Sequence, residues 1–286
     1  MKAVSVSNDM KPELMALWNR CFEHDEDFCG FFFEHQFAPE RALAAVDEEG
    51  KICSALHFFE GQYQDESGRV NDAWYLYGVA TAPGFRRKGY GSFLIRELGK
   101  AARIGGICAM YLTAEETAWN FYEEIGFVRN AFLSRTVFEP CRAGNLSWTL
   151  CGMEDFRRLR LMYTGGLKNA FTWNGASLDF MYSDLIRDGQ VLRCVLDGNE
   201  YYAAVRLREG ELTVVETSFP RDSGDLLAGS IAEKFGGYST VSVFGTADER
   251  FLGSTAANRE TFYKGHTLFL NGTPPAETVY MNLLAD

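Results

Sequence analysis

The sequence predicts an α/β chain of two tandem domains, each a mixed, mostly antiparallel sheet flanked by helices. Three observations carry that expectation. Short β-like runs joined by turn residues alternate with stretches of helical period. The order hairpin, third strand, turn, helix, strand occurs twice. The 286 residues also exceed one ordinary domain of about 100–200 residues.

In the first half, Ala3–Ser7 alternates like a strand. Asn8 or Asp9 is placed to cap a helix to about Phe22, with Leu14, Leu17 and Trp18 on one face. Glu23 to Phe37 is acidic and aromatic. Ala42–Val46 and Ile52–Phe59 flank Asp47-Glu48-Glu49-Gly50-Lys51, a hairpin signal, and Trp74–Thr81 is a third strand closed by Pro83-Gly84. Ser92 opens a helix to about Ile104, with Leu94, Leu98 and Ala101 as its apolar stripe and Gly105-Gly106 as its stop. Ile107–Thr113 reads as a buried strand and Glu116–Ile125 as a short helix ended by Gly126. Phe127-Val128 begins another strand.

Residues 139–145 read as a linker between domains at 1–138 and 146–286. Beyond it, Val191–Leu196, Tyr201–Arg208 and Glu211–Thr217 read as strands and Asp225–Phe235 as a helix. Thr240–Phe244 and Val279–Leu284 read as further strands.

Composition narrows the function. A net charge of −11 argues against nucleic acid, whose phosphates demand clustered Lys and Arg, and is compatible with a cationic substrate. The seven cysteines contain no Cys-x-x-Cys pair, the N-terminus lacks a signal-like apolar run, and no segment approaches the ~20 apolar residues of a membrane span. A cytoplasmic chain with reduced thiols and no membrane partner is expected. Cys21, His24, Cys29 and His35 are zinc ligands by type, but their spacing matches no structural finger, so no metal is expected.

The chemistry concentrates in Pro83-Gly84-Phe85-Arg86-Arg87-Lys88-Gly89-Tyr90-Gly91-Ser92. A Gly-rich turn between strand and helix turns successive N–H groups inward as an anion nest, and the helix start adds its unpaired amides and positive dipole end. Gly89 and Gly91 let backbone approach a phosphate, and Arg86, Arg87 and Lys88 add charge.

This stretch resembles the signature of the Gcn5-related N-acetyltransferase (GNAT) family, Arg/Gln-x-x-Gly-x-Gly/Ala, supplied here by Arg86, Gly89 and Gly91. Trp119-Asn120-Phe121-Tyr122-Glu123-Glu124-Ile125-Gly126-Phe127 is similar to the family's second motif, and the likeness covers about residues 1–138. It implies an acyl-CoA N-acyltransferase fold and transfer of acetyl from acetyl-CoA, as co-substrate, to the primary amine of a small molecule or peptide.

By that resemblance the Val79 N–H holds the thioester carbonyl and, with Ala80, the Thr81 backbone pairs with the pantetheine arm. The amides of Arg87, Lys88, Gly89, Tyr90, Gly91 and Ser92 hold the pyrophosphate, and Arg86 is also cofactor-binding. Asn120 also contacts the cofactor, and Tyr122 is the general acid for the leaving thiolate. A fixed N–H at a developing oxyanion is worth roughly 2.7–4 kcal/mol, and a placed phenol roughly 10²–10⁴-fold in rate.

Two departures stand out. Glu115 occupies a position that often carries asparagine, and Tyr75 occupies a position where some members carry a glutamate base. The base therefore stays open among Tyr75, Tyr77, Asp72, Glu23, Asp25, Glu26 and Asp27, acting directly or through water. These departures motivate the rival reading, a CoA-binding sensor or scaffold without catalysis.

In the second half the matching turn is Pro220-Arg221-Asp222-Ser223-Gly224-Asp225-Leu226. Leu226 replaces the second glycine, and Asp222 and Asp225 bring negative charge, with Asp225 expected to cap its own helix. A degenerate GNAT-like domain that binds no CoA is expected there. The sequence leaves the oligomeric state open.

Overall fold

The computed structural model describes residues 1–22, 26–139, 146–208, 210–247, 250–271, 276 and 278–282, with Glu26 through its backbone alone. The expected linker at 140–145, with Cys141, and the candidates Glu23, His24 and Asp25 lie outside the described residues. The chain divides into two compact units. The first comprises residues 1–63, 71–129 and 266–275, and the second residues 64–70, 130–265 and 276–286.

The first unit begins with β1 (Lys2–Ser5), α1 (Lys11–Cys21), α2 (Glu26–His35) and β2 (Ala42–Val46), followed by β3 (Ile52–Gln64) and β4 (Val70–Thr81). It continues with α3 (Tyr90–Ile104), β5 (Ala109–Leu112) and α4 (Trp119–Ile125). β1 pairs antiparallel with β2, and β2 with β3, whereas β4 and β5 run parallel. The β2–β3 turn closes on the Asp47 carboxylate, which accepts from the N–H groups of Glu49 and Lys51 at 3.0 Å each. Asp65, in the segment 64–70 that belongs to the second unit, does the same for Ser67 and Arg69, at 2.9 and 3.0 Å. This second Asx turn explains why β3 and β4 outrun the expected Ile52–Phe59 and Trp74–Thr81.

Leu14, Leu17 and Trp18 are buried on α1, as its period predicts. The expected cap is corrected. A 3-10 turn at Asn8–Met10 precedes α1, and neither Asn8 nor Asp9 occupies its capping position, which is Met10. The aromatic stretch after it is the helix α2, with Phe28, Phe32 and Phe33 buried. Their rings surround Trp18 at centroid distances of 6.5, 5.1 and 5.9 Å.

The second unit is built on β6 (Val128–Phe138, from Asn130 onward), β7 (Thr149–Leu150), α5 (Met153–Thr164), β8 (Ala170–Trp173) and α6 (Gly175–Leu185). It goes on with β9 (Gly189–Leu196), β10 (Asn199–Arg208), β11 (Glu211–Thr217), α7 (Gly224–Phe235) and β12 (Val241–Thr246), then β13 (Ala256–Phe269) and β14 (Tyr280–Met281). β9, β10 and β11 form an antiparallel meander, and β11 runs parallel to β12 across the α7 crossover. A buried ion pair lies at its centre: Arg160 donates to both Glu216 oxygens, at 2.7 and 3.2 Å. The Tyr202 and Tyr280 hydroxyls donate to the same carboxylate at 2.7 and 2.8 Å.

The division departs from the 1–138 and 146–286 split. β13 starts in the second unit, but its end, His266–Phe269, pairs antiparallel with Ala109–Leu112 of β5 in the first. Residues 257–261 of β13 are exposed, so no alternating apolar signal announces it.

Candidate active site

A cavity of about 530 Å³ opens in the first unit where β4 ends, and its wall comes from four strands and helices and the turn between β4 and α3. Val79, Ala80 and Thr81 are the last residues of β4. Phe85, Arg86, Arg87 and Gly89 form the turn, and Tyr90, Gly91, Ser92 and Arg96 the start of α3. Phe121, Tyr122, Glu124 and Ile125 belong to α4, and Cys21 and Phe22 to the end of α1.

The strands make this opening by parting. β4 pairs with β5 at residues 73–75 against 109–111, and Leu76–Thr81 runs on beyond that register. Gly78 marks the change of course, with a left-handed φ of 55°. The end of β4 is held from behind: the Ser54 hydroxyl donates to the Ala80 carbonyl at 2.7 Å, and the Ala82 N–H to the Cys53 carbonyl at 2.9 Å.

The turn then coils as an anion nest requires. Arg87 and Gly89 have φ of 61° and 82°, the left-handed residues that turn neighbouring N–H groups to one side. A non-glycine residue held there is strained, a condition that clusters at ligand clamps. The first intrahelical bond of α3 runs from the Phe93 N–H to the Gly89 carbonyl at 2.9 Å. The amides of Tyr90, Gly91 and Ser92 precede it, at the positive end of a fifteen-residue helix. A Cβ at Gly91 would meet the Phe121 ring at 3.3 Å and the Thr81 hydroxyl at 3.5 Å. Three arginines line the cavity against one acid, Glu124, in a chain of net charge −11. The residues present therefore fit an elongated anionic ligand.

Tyr122 is buried, and that burial pushes its phenol well above the ordinary tyrosine range, so it stays protonated at neutral pH. His266, on the returning β13, has its ring centroid 5.9 Å away. Burial, foremost, lowers its imidazole to about 4, so it is neutral at pH 7.

Most of the expected site residues meet here. Val79, Ala80, Thr81, Arg86, Arg87, Gly89, Tyr90, Gly91, Ser92 and Tyr122 line one cavity. Lys88 lies off its wall, with its ammonium 5.4 Å from the Phe85 ring centre. Asn120 is exposed and does not line the cavity. Tyr75 is also outside the lining: it is 2% exposed and packed among the Phe59, Tyr77 and Tyr111 rings.

Tyr77 packs on Trp18, and the Asp72 carbonyl accepts from the Cys108 N–H at the far end of β4. Asp27 is exposed. Among the described residues, no group of three His, Cys, Asp or Glu side chains is placed to hold a metal. Phe22 and Arg96 belong to no motif and come to the cavity through folding alone, while Cys21 and Glu124, which fall in the Cys/His run and the second motif, carry no expected role there.

The family comparison falls on this unit. Residues 9–127 match the acetyltransferase (GNAT) family. The GNAT region thus takes in the cavity and both motif stretches. The acyl-CoA N-acyltransferase fold extends over nearly the whole chain, in likeness to several solved structures. One is a GCN5-related N-acetyltransferase from Kribbella flavida, at 16% identity and TM-score 0.72, covering 94% of this chain and 70% of that one. Another, from Anabaena variabilis, has 12% identity and TM-score 0.74, covering 94% and 73%. Eis1 from Mycobacterium abscessus has 8% identity and TM-score 0.68, covering 95% and 74%. At these identities the likeness is one of fold. No curated protein matches the chain in sequence.

The corresponding turn outside the GNAT region is filled. In the second unit, the Gly224 N–H donates to the Leu252 carbonyl at 3.0 Å, and the Leu252 N–H to the Arg221 carbonyl at 2.7 Å. Asp225 does not cap α7, which corrects the expectation. It accepts from the backbone and hydroxyl groups of Ser254 and Thr255 instead. Arg221 lies 4.3 Å from the Phe251 ring centre and donates to the Tyr163 hydroxyl at 2.8 Å.

Proposed function

We propose that the protein is an N-acetyltransferase that moves acetyl from acetyl-CoA to the primary amine of a small molecule or peptide. One observation carries this reading: an anion nest at the start of α3, the free end of β4 and a protonated Tyr122 share a single cavity. Bound there, acetyl-CoA would supply an activated thioester carbonyl. In this reading the nest from Arg86 to Ser92 takes the pyrophosphate, with Arg96 adding charge farther along α3. Thr81 orients the pantetheine arm. The Val79 N–H takes the charge that develops on the carbonyl oxygen, and Tyr122 gives its proton to the departing thiolate. Such a fixed donor needs no reorganisation at the moment of reaction.

The base is left to water or to an exposed carboxylate near α2, since Tyr75 is enclosed in the core. The filled turn between β11 and α7 supports a second, degenerate GNAT-like region that binds no CoA. A cytoplasmic location with reduced thiols is part of the same proposal. The test is release of CoA thiol from acetyl-CoA over a broad panel of amines. Turnover with one class of amine is expected; tight CoA binding without turnover for any amine would instead make the chain a CoA sensor.

A further inference from the structure

Gly78 immediately precedes Val79 in β4, and its backbone sets the tilt of the peptide plane that carries the Val79 N–H. Its φ is 55°, in the left-handed region that L side chains rarely adopt. Space closes the position as well. A Cβ there would lie 2.4 Å from Cζ3 of Trp18 and 3.0 Å from its Cη2. The indole is therefore seated directly on the glycine, on the side where any other residue would carry its side chain.

Trp18 is not a flexible neighbour that could swing away. It is 3% exposed and stacks on Phe32 at 5.1 Å, with an interplanar angle of 23°. Phe22, Phe33, His57 and Tyr77 enclose it, with ring centroids at 5.1, 5.9, 6.0 and 5.6 Å. Burial lowers the His57 imidazole to about 3, so this packing carries no charge at neutral pH. The left-handed residue thus has a rigid aromatic wall behind it, and the next residue, Val79, lines the cavity.

We infer that Trp18 and Gly78 form a lock that aims the Val79 N–H at the reacting carbonyl, making Trp18 a positioning residue. The inference rests on the acetyl-transfer reading. It also connects the aromatic packing of α1 and α2 to the chemistry rather than to CoA affinity, because the pyrophosphate nest is built from other residues.

The test separates aim from grip. Gly78→Ala, Trp18→Phe and the double variant are compared in kcat with acetyl-CoA and in Kd for CoA, which has no carbonyl to be held. Gly78→Ala is expected to lower kcat by about 10²-fold while Kd for CoA stays within about threefold, the signature of an interaction made only during reaction. Trp18→Phe in the Gly78→Ala background makes room for the added methyl and should restore part of kcat. Unchanged kcat in Gly78→Ala, or equal losses of kcat and CoA affinity, would overturn the lock. If Gly78→Ala does not fold, Trp18→Phe alone decides, with kcat expected to fall at least fivefold at constant CoA Kd and an unchanged kcat overturning the lock. A parent protein without turnover would sink the acetyl-transfer reading itself. The lock would then be read from the ratio of acetyl-CoA to CoA affinity, which Gly78→Ala should shift at least threefold, and an unmoved ratio overturns it.

Discussion

In the first unit, the turn between β4 and α3 faces a cavity of about 530 Å³; in the second, the turn between β11 and α7 is covered by residues 251–255. Both connect parallel strands through a helix, and both begin with Pro and Arg or Gly. The difference lies in what satisfies the helix start. At α3 the coil of Arg87 and Gly89 leaves an anion-receptive surface. At α7 the Leu252 carbonyl lies against Gly224, where a Cβ would sit 2.5 Å from it, and Asp225 holds Ser254 and Thr255. One crossover thus presents an open, anion-receptive turn or a self-sealed structural joint, depending on whether the chain supplies its own acceptors.

The sharpest way to break the comparison is to spoil the open turn. Gly91→Asp places a side chain against Phe121 and Thr81 and a negative charge in the nest. CoA binding should vanish in calorimetry, and retained affinity would contradict the nest. Next in size is Arg160→Met, which leaves Glu216 buried without its cation. The second unit should lose about 3–5 kcal/mol in denaturant unfolding. CoA affinity should persist wherever the variant stays folded. Tyr122→Phe asks whether the open turn is joined to chemistry: kcat should fall about 10²-fold with CoA Kd nearly constant.

Acid should separate the units more gently. His57 and His266 are held at about 3 and about 4 against an ordinary 6.5, so the unfolded chain takes up the protons first. Their contribution is full above pH 6.5 and declines as pH falls below it. In the second unit, burial pushes the Asp225 carboxyl up, but hydrogen bonds from Thr255 and Ser254 outweigh it and hold the group at about 2. That contribution is full above pH 3.8 and is lost only toward 2. Urea unfolding at pH 5, followed by hydrogen exchange in peptides from each unit, should show the first unit weakened relative to pH 7 and Asp225 still contributing. Smallest of all, Arg221→Ala should leave CoA at one per chain, with about 1 kcal/mol of stability lost from its contact with Phe251. Two CoA molecules per parent chain would erase the comparison.

The open turn was legible because its information is local. Strand, basic residues, paired glycines and helix follow one another within 81–104, and the α3 stripe carries the period that buries Leu94 and Leu98. The β9–β11 meander was legible for the same reason. Other features depend on distant partners. Gly78 has no motif of its own, and its role appears only when Trp18 packs on it. α5 was obscured by exposed Leu161 and Met162, which blur its apolar face. β13 is polar for much of its length and shows itself only through its partners. Tyr75 illustrates the converse: a position suggested by resemblance is enclosed by three aromatic rings that no local pattern predicts.

The return of β13 to the first unit also sets an order of events during synthesis. The strand that neighbours β5, and the imidazole beside Tyr122, belong to residues made long after Arg129 leaves the ribosome. At about 5–20 residues per second, the nascent first unit waits several seconds or more with one sheet edge uncovered. A fragment ending at 138 would keep the nest at the start of α3 and lack that edge strand. Such a fragment is therefore expected to be prone to edge-to-edge association rather than to behave as a minimal enzyme.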